Sequence, residues 1–150
     1  MEEITTRQCY IDALKSVYQL EREIFGWEGY SYLALRQFYD ICGNLFRVAA
    51  ISSNTIVGYT IGCPKVYTSD AWILALAVSP HYQRQGIGKK LSYDILKEFT
   101  KLEIKRAFLT VKSDNQSAIN LYYSLGFSLI AHEKDYFGES SPRNIMQKEL

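Results

Sequence analysis

The chain has 150 residues, 47% of them hydrophobic, which is enough for a domain with a sizeable core. Its 17 basic and 16 acidic residues are mixed along the chain and leave a formal charge of +1, so the composition does not indicate nucleic-acid or membrane binding. Three cysteines without metal-ligand spacing and only two histidines argue against a metal site and predict a reducing, cytoplasmic location.

The first half of the chain is predicted to form a strand, two helices and a hairpin. The opening Met1-Glu2-Glu3 is not the basic and then apolar start of a signal, and no apolar run is long enough to cross a membrane. Leu14 and Val17 lie at helical spacing, Gly26 ends that helix, and Ser31 is placed to cap the next one. The predicted elements are a strand at 4–7, helices at 11–25 and 31–42, and hairpin strands at 45–51 and 56–63 around a turn at 52–55.

The second half alternates strands with helices, which predicts a mixed α/β sheet. An apolar strand that begins near Trp72 stops at Pro80, and an amphipathic helix begins at Gly86. The remaining predicted elements are that helix to residue 100, a strand at 106–111, a helix at 116–124 and closing strands at 127–136 and 144–149. We expect residues 1–150 to form one α/β domain.

The corner between the strand and the helix reads Gln83-Arg84-Gln85-Gly86-Ile87-Gly88-Lys89-Lys90. Glycine lets the backbone approach a ligand closely, and the first amides of a helix have no intrahelical partner and lie at the positive end of its dipole. Arg84 and Lys89 place positive charge on either side of the glycines. The corner therefore predicts a phosphate or pyrophosphate site, with a plain glycine-lined turn as the alternative.

Spacing excludes two common phosphate-binding loops. A P-loop requires a glycine where Gln83 stands and a serine or threonine where Lys90 stands. The dinucleotide fingerprint requires a small residue at the position of Leu91. The pattern that remains is Gln-x-x-Gly-x-Gly.

A second motif lies downstream, where residues 115–127 read Asn-Gln-Ser-Ala-Ile-Asn-Leu-Tyr-Tyr-Ser-Leu-Gly-Phe. With the glycine corner and the preceding strand Leu74–Pro80, it resembles the motifs of the Gcn5-related N-acetyltransferase (GNAT) family, and the resemblance covers about the whole chain. The run from Ala75 to Gly126 is most similar to the bacterial branch that acetylates the N-terminal alanine of a ribosomal protein.

The resemblance implies both a fold and a cosubstrate. The fold is a mixed, mostly antiparallel sheet flanked by helices, whose fourth and fifth strands splay apart to admit acetyl-CoA; no metal is implied. A backbone amide at the splay would polarise the thioester carbonyl. The implied cofactor-binding residues are Leu76, Ala77, Val78, Arg84, Gln85, Gly86, Ile87, Gly88, Lys89 and Asn115, the last of which also suits a helix cap.

Tyr122 matches the tyrosine that acts as general acid in the family. Acyl transfer from a thioester expels a thiolate whose conjugate acid has a pKa of about 8.5, whereas that of tyrosine is about 10. A positioned phenol can therefore protonate the leaving sulfur while remaining neutral at pH 7. Tyr123 points about 100° away on the helix and is expected to pack or lie at the surface. The alternative for Tyr122 is an ordinary core aromatic.

The general base is not evident from the sequence. The related branch uses a glutamate on the fifth strand, but Thr110 stands there in this chain, and a neutral hydroxyl is a poor proton acceptor at pH 7. Glu28, Glu133 and Asp135 are carboxylates that could act through a water, although each also suits a solvated surface position.

Without a strong base, we expect an acceptor amine of low pKa, such as a peptide N-terminus or a small α-amino compound. Its pocket is expected between the loop at 26–31 and the segment at 136–138, whose aromatic residues favour an apolar acceptor. A polyamine or lysine acceptor, a non-catalytic acyl-CoA sensor and an unrelated phosphate-binding module remain as alternatives. The protein is expected to be a monomer or a homodimer.

Overall fold

A computed structural model describes residues 2–52 and 54–150. Met1 and Ser53, which belong to the predicted N-terminal segment and hairpin turn, lie outside the described residues. The helices and strands are β1 (Ile4–Gln8), α1 (Leu14–Phe25), α2 (Tyr32–Cys42), β2 (Phe46–Ile51), β3 (Thr55–Pro64), β4 (Asp70–Val78), α3 (Ile87–Lys101), β5 (Arg106–Val111), α4 (Gln116–Ser124), β6 (Ser128–Glu133) and β7 (Arg143–Glu149).

The strands form one sheet in the order β1-β2-β3-β4-β5-β7-β6. Neighbouring strands are antiparallel except for β4 and β5, which are parallel. This confirms the predicted mixed, mostly antiparallel α/β sheet.

The fourth and fifth strands separate part-way along their length. Their last pair is Ile73 with Leu109, while β4 continues to Val78. At the same place the register between β3 and β4 shifts, because Ile61 pairs with Ala75 and Gly62 with Ile73. Leu74 is thus the extra residue of a β-bulge, and a bulge bends its strand and increases the local twist. The predicted splay is confirmed, and the bulge gives its local cause.

Helices cover both faces of the sheet. The predicted apolar face of α3 is buried, with Ile87, Leu91, Ile95 and Phe99 at most 2% exposed. A Cβ atom added to Gly62 would lie 2.6 Å from the ring of Phe99, so only glycine allows α3 to pack this closely on β3. Tyr59, which is fully buried on the same strand, packs within the main core, to which α1 and α2 contribute.

Most predicted boundaries hold to within two residues, and Ser31 caps α2 by accepting the Ala34 N–H at 3.2 Å. The prediction of a strand to Tyr136 was wrong, because β6 ends at Glu133. Beyond it the chain turns, with the N–H groups of Ser140 and Gly138 donating to the side chain and carbonyl of Asp135 at 3.0 and 3.1 Å. Gly138, within this turn, has a φ of +106°, a conformation that glycine adopts readily. Within residues 2–52 and 54–150, no helix is long and apolar enough to span a membrane.

Candidate active site

Three segments that are distant in sequence meet at the splay: the end of β4, the start of α3 and the middle of α4. A Cβ atom added to Gly88 would lie 3.4 Å from Leu121 Cδ2 and 3.7 Å from Val78 Cγ2. Gly88 therefore lets the first turn of α3 approach both neighbours. The two predicted motifs, the glycine corner and the segment with Tyr122, are brought together here.

The glycine corner has the backbone conformation that a close ligand approach requires. Gly86 has a φ of +78° and is the residue before the first turn of α3, and a Cβ atom added there would meet nothing within 4 Å. Arg84 also has a positive φ, +63°. The side chains of Arg84, Gln85 and Lys89 are exposed, whereas that of Ile87 is 2% exposed and packs in the core, so Ile87 offers only its backbone to a ligand.

The end of β4 offers a free backbone edge. Leu76, Ala77 and Val78 pair with β3 on one side, but on the other side β5 has already diverged. Ala77 is 4% exposed, so its side chain belongs to the core. Backbone groups on an unpaired strand edge need other partners, and an extended ligand that carries amides can supply them.

Asn115 caps α4. Its Oδ1 atom accepts the N–H of Ala118 at 3.2 Å, which confirms the predicted cap. Because Oδ1 is used in this way, the side-chain amide nitrogen is the group left to donate to a ligand.

Tyr122, the residue after Leu121 on α4, is buried, with its ring edge-to-face against Phe127 at 5.7 Å. Burial raises the pKa of its phenol above the ordinary value, so the hydroxyl keeps its proton at neutral pH. Tyr123 is 50% exposed, in accordance with its predicted surface position.

Sequence reasoning did not find a buried network beside the bulge. Glu21 of α1 is 2% exposed, and its Oε2 atom accepts the Tyr30 N–H at 2.8 Å. The Tyr30 hydroxyl in turn donates to the carbonyl of the bulged residue Leu74 at 3.1 Å. Burial raises the pKa of the Glu21 carboxyl. The signal was present, because Glu21 occupies a position on the apolar face of its helix where a hydrophobic residue is expected.

The structure does not make any candidate an obvious general base. Thr110 is half-buried on β5 opposite Ile145 of β7. Glu28 is paired with Lys112 at 3.2 Å, Asp135 accepts the Ser140 N–H, and Glu133 lies on an exposed strand. Across residues 2–52 and 54–150, no group of acidic, histidine and cysteine side chains could hold a metal ion.

Comparison with known families agrees with the arrangement of these segments. The model of the acetyltransferase (GNAT) family matches residues 14–127, from the start of α1 to the residue before β6. The chain belongs to the GNAT family. The resemblance inferred from the glycine corner and the Asn115–Phe127 motif is therefore confirmed, and the β6–β7 hairpin lies outside the matched region.

Individual relatives of this GNAT protein differ in their acceptors. The chain is 34% identical over 79 residues to the ribosomal protein bS18-alanine N-acetyltransferase of Escherichia coli K12, with 53% of each protein covered. It is 34% identical over 80 residues to a probable spermine N(1)-acetyltransferase of Bacillus subtilis subsp. natto, with 53% of this chain and 49% of that protein covered. The chain thus spans about half the length of these curated relatives.

The similarity in structure extends further than the similarity in sequence. The crystal structure of Ard1 from Thermoplasma volcanium superposes with a TM-score of 0.88 at 25% identity, covering 98% of this chain and 97% of the other. The β6–β7 hairpin therefore belongs to the shared fold, although the family model stops before it.

Proposed function

We propose that residues 1–150 form an N-acetyltransferase domain that transfers the acetyl group of acetyl-CoA to a primary amine by direct attack. The observation that carries the proposal is the convergence of Val78, Gly88 and Leu121 at the splay. Beside this convergence lie the end of β4 that β5 has left, the start of α3 with a positive φ at Gly86, and the turn of α4 that carries Tyr122. Membership of the GNAT family supports the same chemistry.

Acetyl-CoA fits the groups around this gap. The amides of the glycine corner, with Arg84 and Lys89, would hold the pyrophosphate, since both side chains are exposed beside the start of α3. The free edge of β4 at 76–78 and the Asn115 amide would bind the amides of the pantetheine arm. One β4 amide would donate to the thioester carbonyl and stabilise the oxyanion that forms on attack.

Tyr122 is the proposed general acid. The amine nitrogen forms a bond to the carbonyl carbon, the carbon–sulfur bond breaks, and the phenol proton moves to the departing sulfur. The proton lost by the amine returns to the phenol through solvent, so the products are an amide and free CoA. Burial keeps the phenol protonated at neutral pH, so the proton is present on the tyrosine when the sulfur departs.

The acceptor is proposed to be a peptide N-terminus or a small α-amino compound. Its amine has a pKa of about 7.7–8.0 and is partly neutral at pH 7, so it needs little help from a base. That suits a site with Thr110 on β5 and with Glu28 paired to Lys112. Acetylation of a polyamine is a second candidate, favoured by the similarity to the probable spermine acetyltransferase.

Release of CoA thiol with a panel of amines at pH 7 and pH 9 tests the proposal. We expect α-amino peptides to be acetylated at both values, and lysine side chains and polyamines chiefly at pH 9, because their amines have a pKa of about 10.4. Preferred turnover of a polyamine at pH 7 would contradict the proposed acceptor. Calorimetric titration with acetyl-CoA, desulfo-CoA and ATP completes the experiment: binding of acetyl-CoA without thiol release from any amine would indicate a sensor, and binding of ATP alone a phosphate-binding module.

A further inference from the structure

Arg143, at the first position of β7, has no counter-ion among the residues that the structure describes. Its guanidinium carbon lies 4.9 Å from the ring centre of Phe137, and its Nε atom is enclosed without a hydrogen-bond partner. Its cross-strand neighbour Glu133 is exposed, and in the described part of the chain no carboxylate forms an ion pair with it. A partly buried guanidinium in this state has given up hydration without the compensation of a paired anion.

The strand pattern fixes the face of the sheet on which Arg143 lies. The next residue, Asn144, uses its side chain to contact His132, so alternation along the strand puts Arg143 on the opposite face of the sheet. Burial raises the pKa of the Tyr30 hydroxyl, and the charge of Arg143 opposes that rise, as a guanidinium close to the hydroxyl would. Phe137, whose ring the guanidinium of Arg143 contacts, belongs to the segment at 136–138 that is expected to form one wall of the acceptor pocket, so Arg143 lies against that wall.

The second cation at this end of the sheet is already neutralised. Lys112, which directly follows β5, is paired with Glu28 of the α1–α2 loop at 3.2 Å. That ion pair joins the α1–α2 loop, one expected wall of the acceptor pocket, to the end of β5. Arg143, in contrast, forms no ion pair within residues 2–52 and 54–150, and a guanidinium binds a carboxylate through two parallel hydrogen bonds.

We infer that Arg143 binds a carboxylate of the acceptor, so that the enzyme prefers amines that carry a carboxylate near the reacting nitrogen. The inference rests on the proposed acetyl transfer. Two kinds of acceptor have this chemistry: a peptide whose second residue is acidic, and a short compound whose own α-carboxylate lies close to the amine. The aromatic residues alone predict a purely apolar acceptor. With Arg143 beside them, we expect an acceptor that also carries a carboxylate.

The test compares matched acceptors that differ only in charge. Peptides that begin Ala-Asp and Ala-Asn form one pair, and the dipeptide Ala-Phe and its C-terminal amide form the other. We expect the acidic member of at least one pair to have a kcat/KM roughly 10- to 100-fold higher, mainly through KM, as a charge-assisted hydrogen bond provides. The pair that shows the difference identifies the source of the carboxylate, and added salt should reduce the difference.

The variants R143Q and R143K assign the preference to one side chain. R143Q should abolish it without changing the KM for acetyl-CoA, and R143K should keep part of it because the charge is retained. R47Q is the matched control, because the Nε atom of Arg47 on β2 is also enclosed without a partner, and it should leave the preference unchanged.

Equal turnover of both members in both pairs by the unmodified protein would overturn the inference, as would a preference that survives in R143Q. The comparison of acceptor pairs uses the unmodified protein, so its result does not depend on whether the variants fold. Failure of every amine to accept acetyl would overturn the proposed function and the inference with it, whereas efficient transfer without charge preference would overturn the inference alone.

Discussion

The buried phenol of Tyr122 is the side chain on which the proposed chemistry depends most directly. Replacing Tyr122 with phenylalanine removes the proton donor but keeps the ring that packs against Phe127. We expect kcat to fall roughly 10²- to 10⁴-fold, as is typical for loss of a general acid, while the affinity for acetyl-CoA stays nearly unchanged. Steady-state kinetics of thiol release, with calorimetry for acetyl-CoA, measure the two effects.

Tyr123 provides the control for this prediction, because it is the adjacent tyrosine but is 50% exposed. Tyr123→Phe should change kcat little. Equal losses in the two variants would show that neither hydroxyl is the specific acid. Because burial raises the pKa of Tyr122 from its ordinary value, its ionisation should not limit the rate as the pH rises to about 10.

Glu21 is a buried acid, and ionisation of its carboxyl group lowers the free energy of unfolding. Burial raises its pKa from the ordinary value of 4.5, so the folded state holds the proton more tightly than the unfolded state does. Stability from this group is present at low pH and is lost as the pH rises through the raised pKa. Glu21→Gln should therefore have a free energy of unfolding that falls less between pH 4.5 and pH 7.5, as urea denaturation at the two values would measure.

Glutamine still has an oxygen that can accept the Tyr30 N–H, but alanine does not. Glu21→Ala should lose roughly 1–3 kcal/mol, because a partly buried donor is left without a partner. The free energy of unfolding could instead change between pH 4.5 and pH 7.5 by the same amount in Glu21→Gln as in the unmodified protein. That result would contradict the assignment of the buried charge to Glu21.

At the scale of the elements, periodicity and caps could predict most of the fold. Ile87, Leu91, Ile95 and Phe99 recur at helical spacing and are buried, and Ser31 caps α2. The bulge at Leu74 could not be predicted in this way, because it arises from pairing between strands that are distant in sequence. The end of β6 was misplaced for a related reason, since the turn depends on bonds from Gly138 and Ser140 back to Asp135.

The candidate site also has parts that the sequence can predict and parts that it cannot. The glycine corner and the Asn115–Phe127 motif are local patterns, and a sequence can reveal them directly. The contacts near the proposed acceptor side join separate elements: Glu21 with Tyr30, Tyr30 with Leu74, and Lys112 with Glu28. No spacing rule predicts such pairs, because only the folded chain brings them together.

The glycine corner gives the test at this scale. Gly86→Val adds a side chain where the backbone would approach the pyrophosphate, and we expect acetyl-CoA affinity to fall at least tenfold. Because φ at Gly86 is +78°, valine also adds strain of about 1–2 kcal/mol, so the variant will unfold more easily than a simple surface change would suggest.

The strain is separated from the loss of binding by a matched glycine. Gly43 also has a positive φ, +56°, and open space around its Cβ position, but it ends α2 and is not part of the corner. Gly43→Val should lower stability without changing acetyl-CoA affinity. Unchanged affinity in folded Gly86→Val, measured by calorimetry, would remove the corner from the binding site.

At the scale of the whole molecule, the three cysteines report how tightly the layers pack. Cys9 follows β1 and Cys42 ends α2, and they are 1% and 8% exposed. Burial raises the pKa of both thiols to about 12, with the neighbouring Cys63 adding to the effect at Cys42. At pH 8 roughly one such thiol in ten thousand is ionised, and the thiolate is the reactive form.

Labelling of the folded protein with a maleimide at pH 8 should therefore modify Cys63 first, since its side chain is partly exposed. Cys9 and Cys42 should react only at the rate at which the structure opens, and urea should bring their labelling to the rate of a free thiol. Cys63→Ser is the control and should remove the fast phase entirely. Fast labelling of Cys9 or Cys42 without urea would contradict the packing, because it would require β1 to leave the edge of the sheet, or α2 its face, without global unfolding.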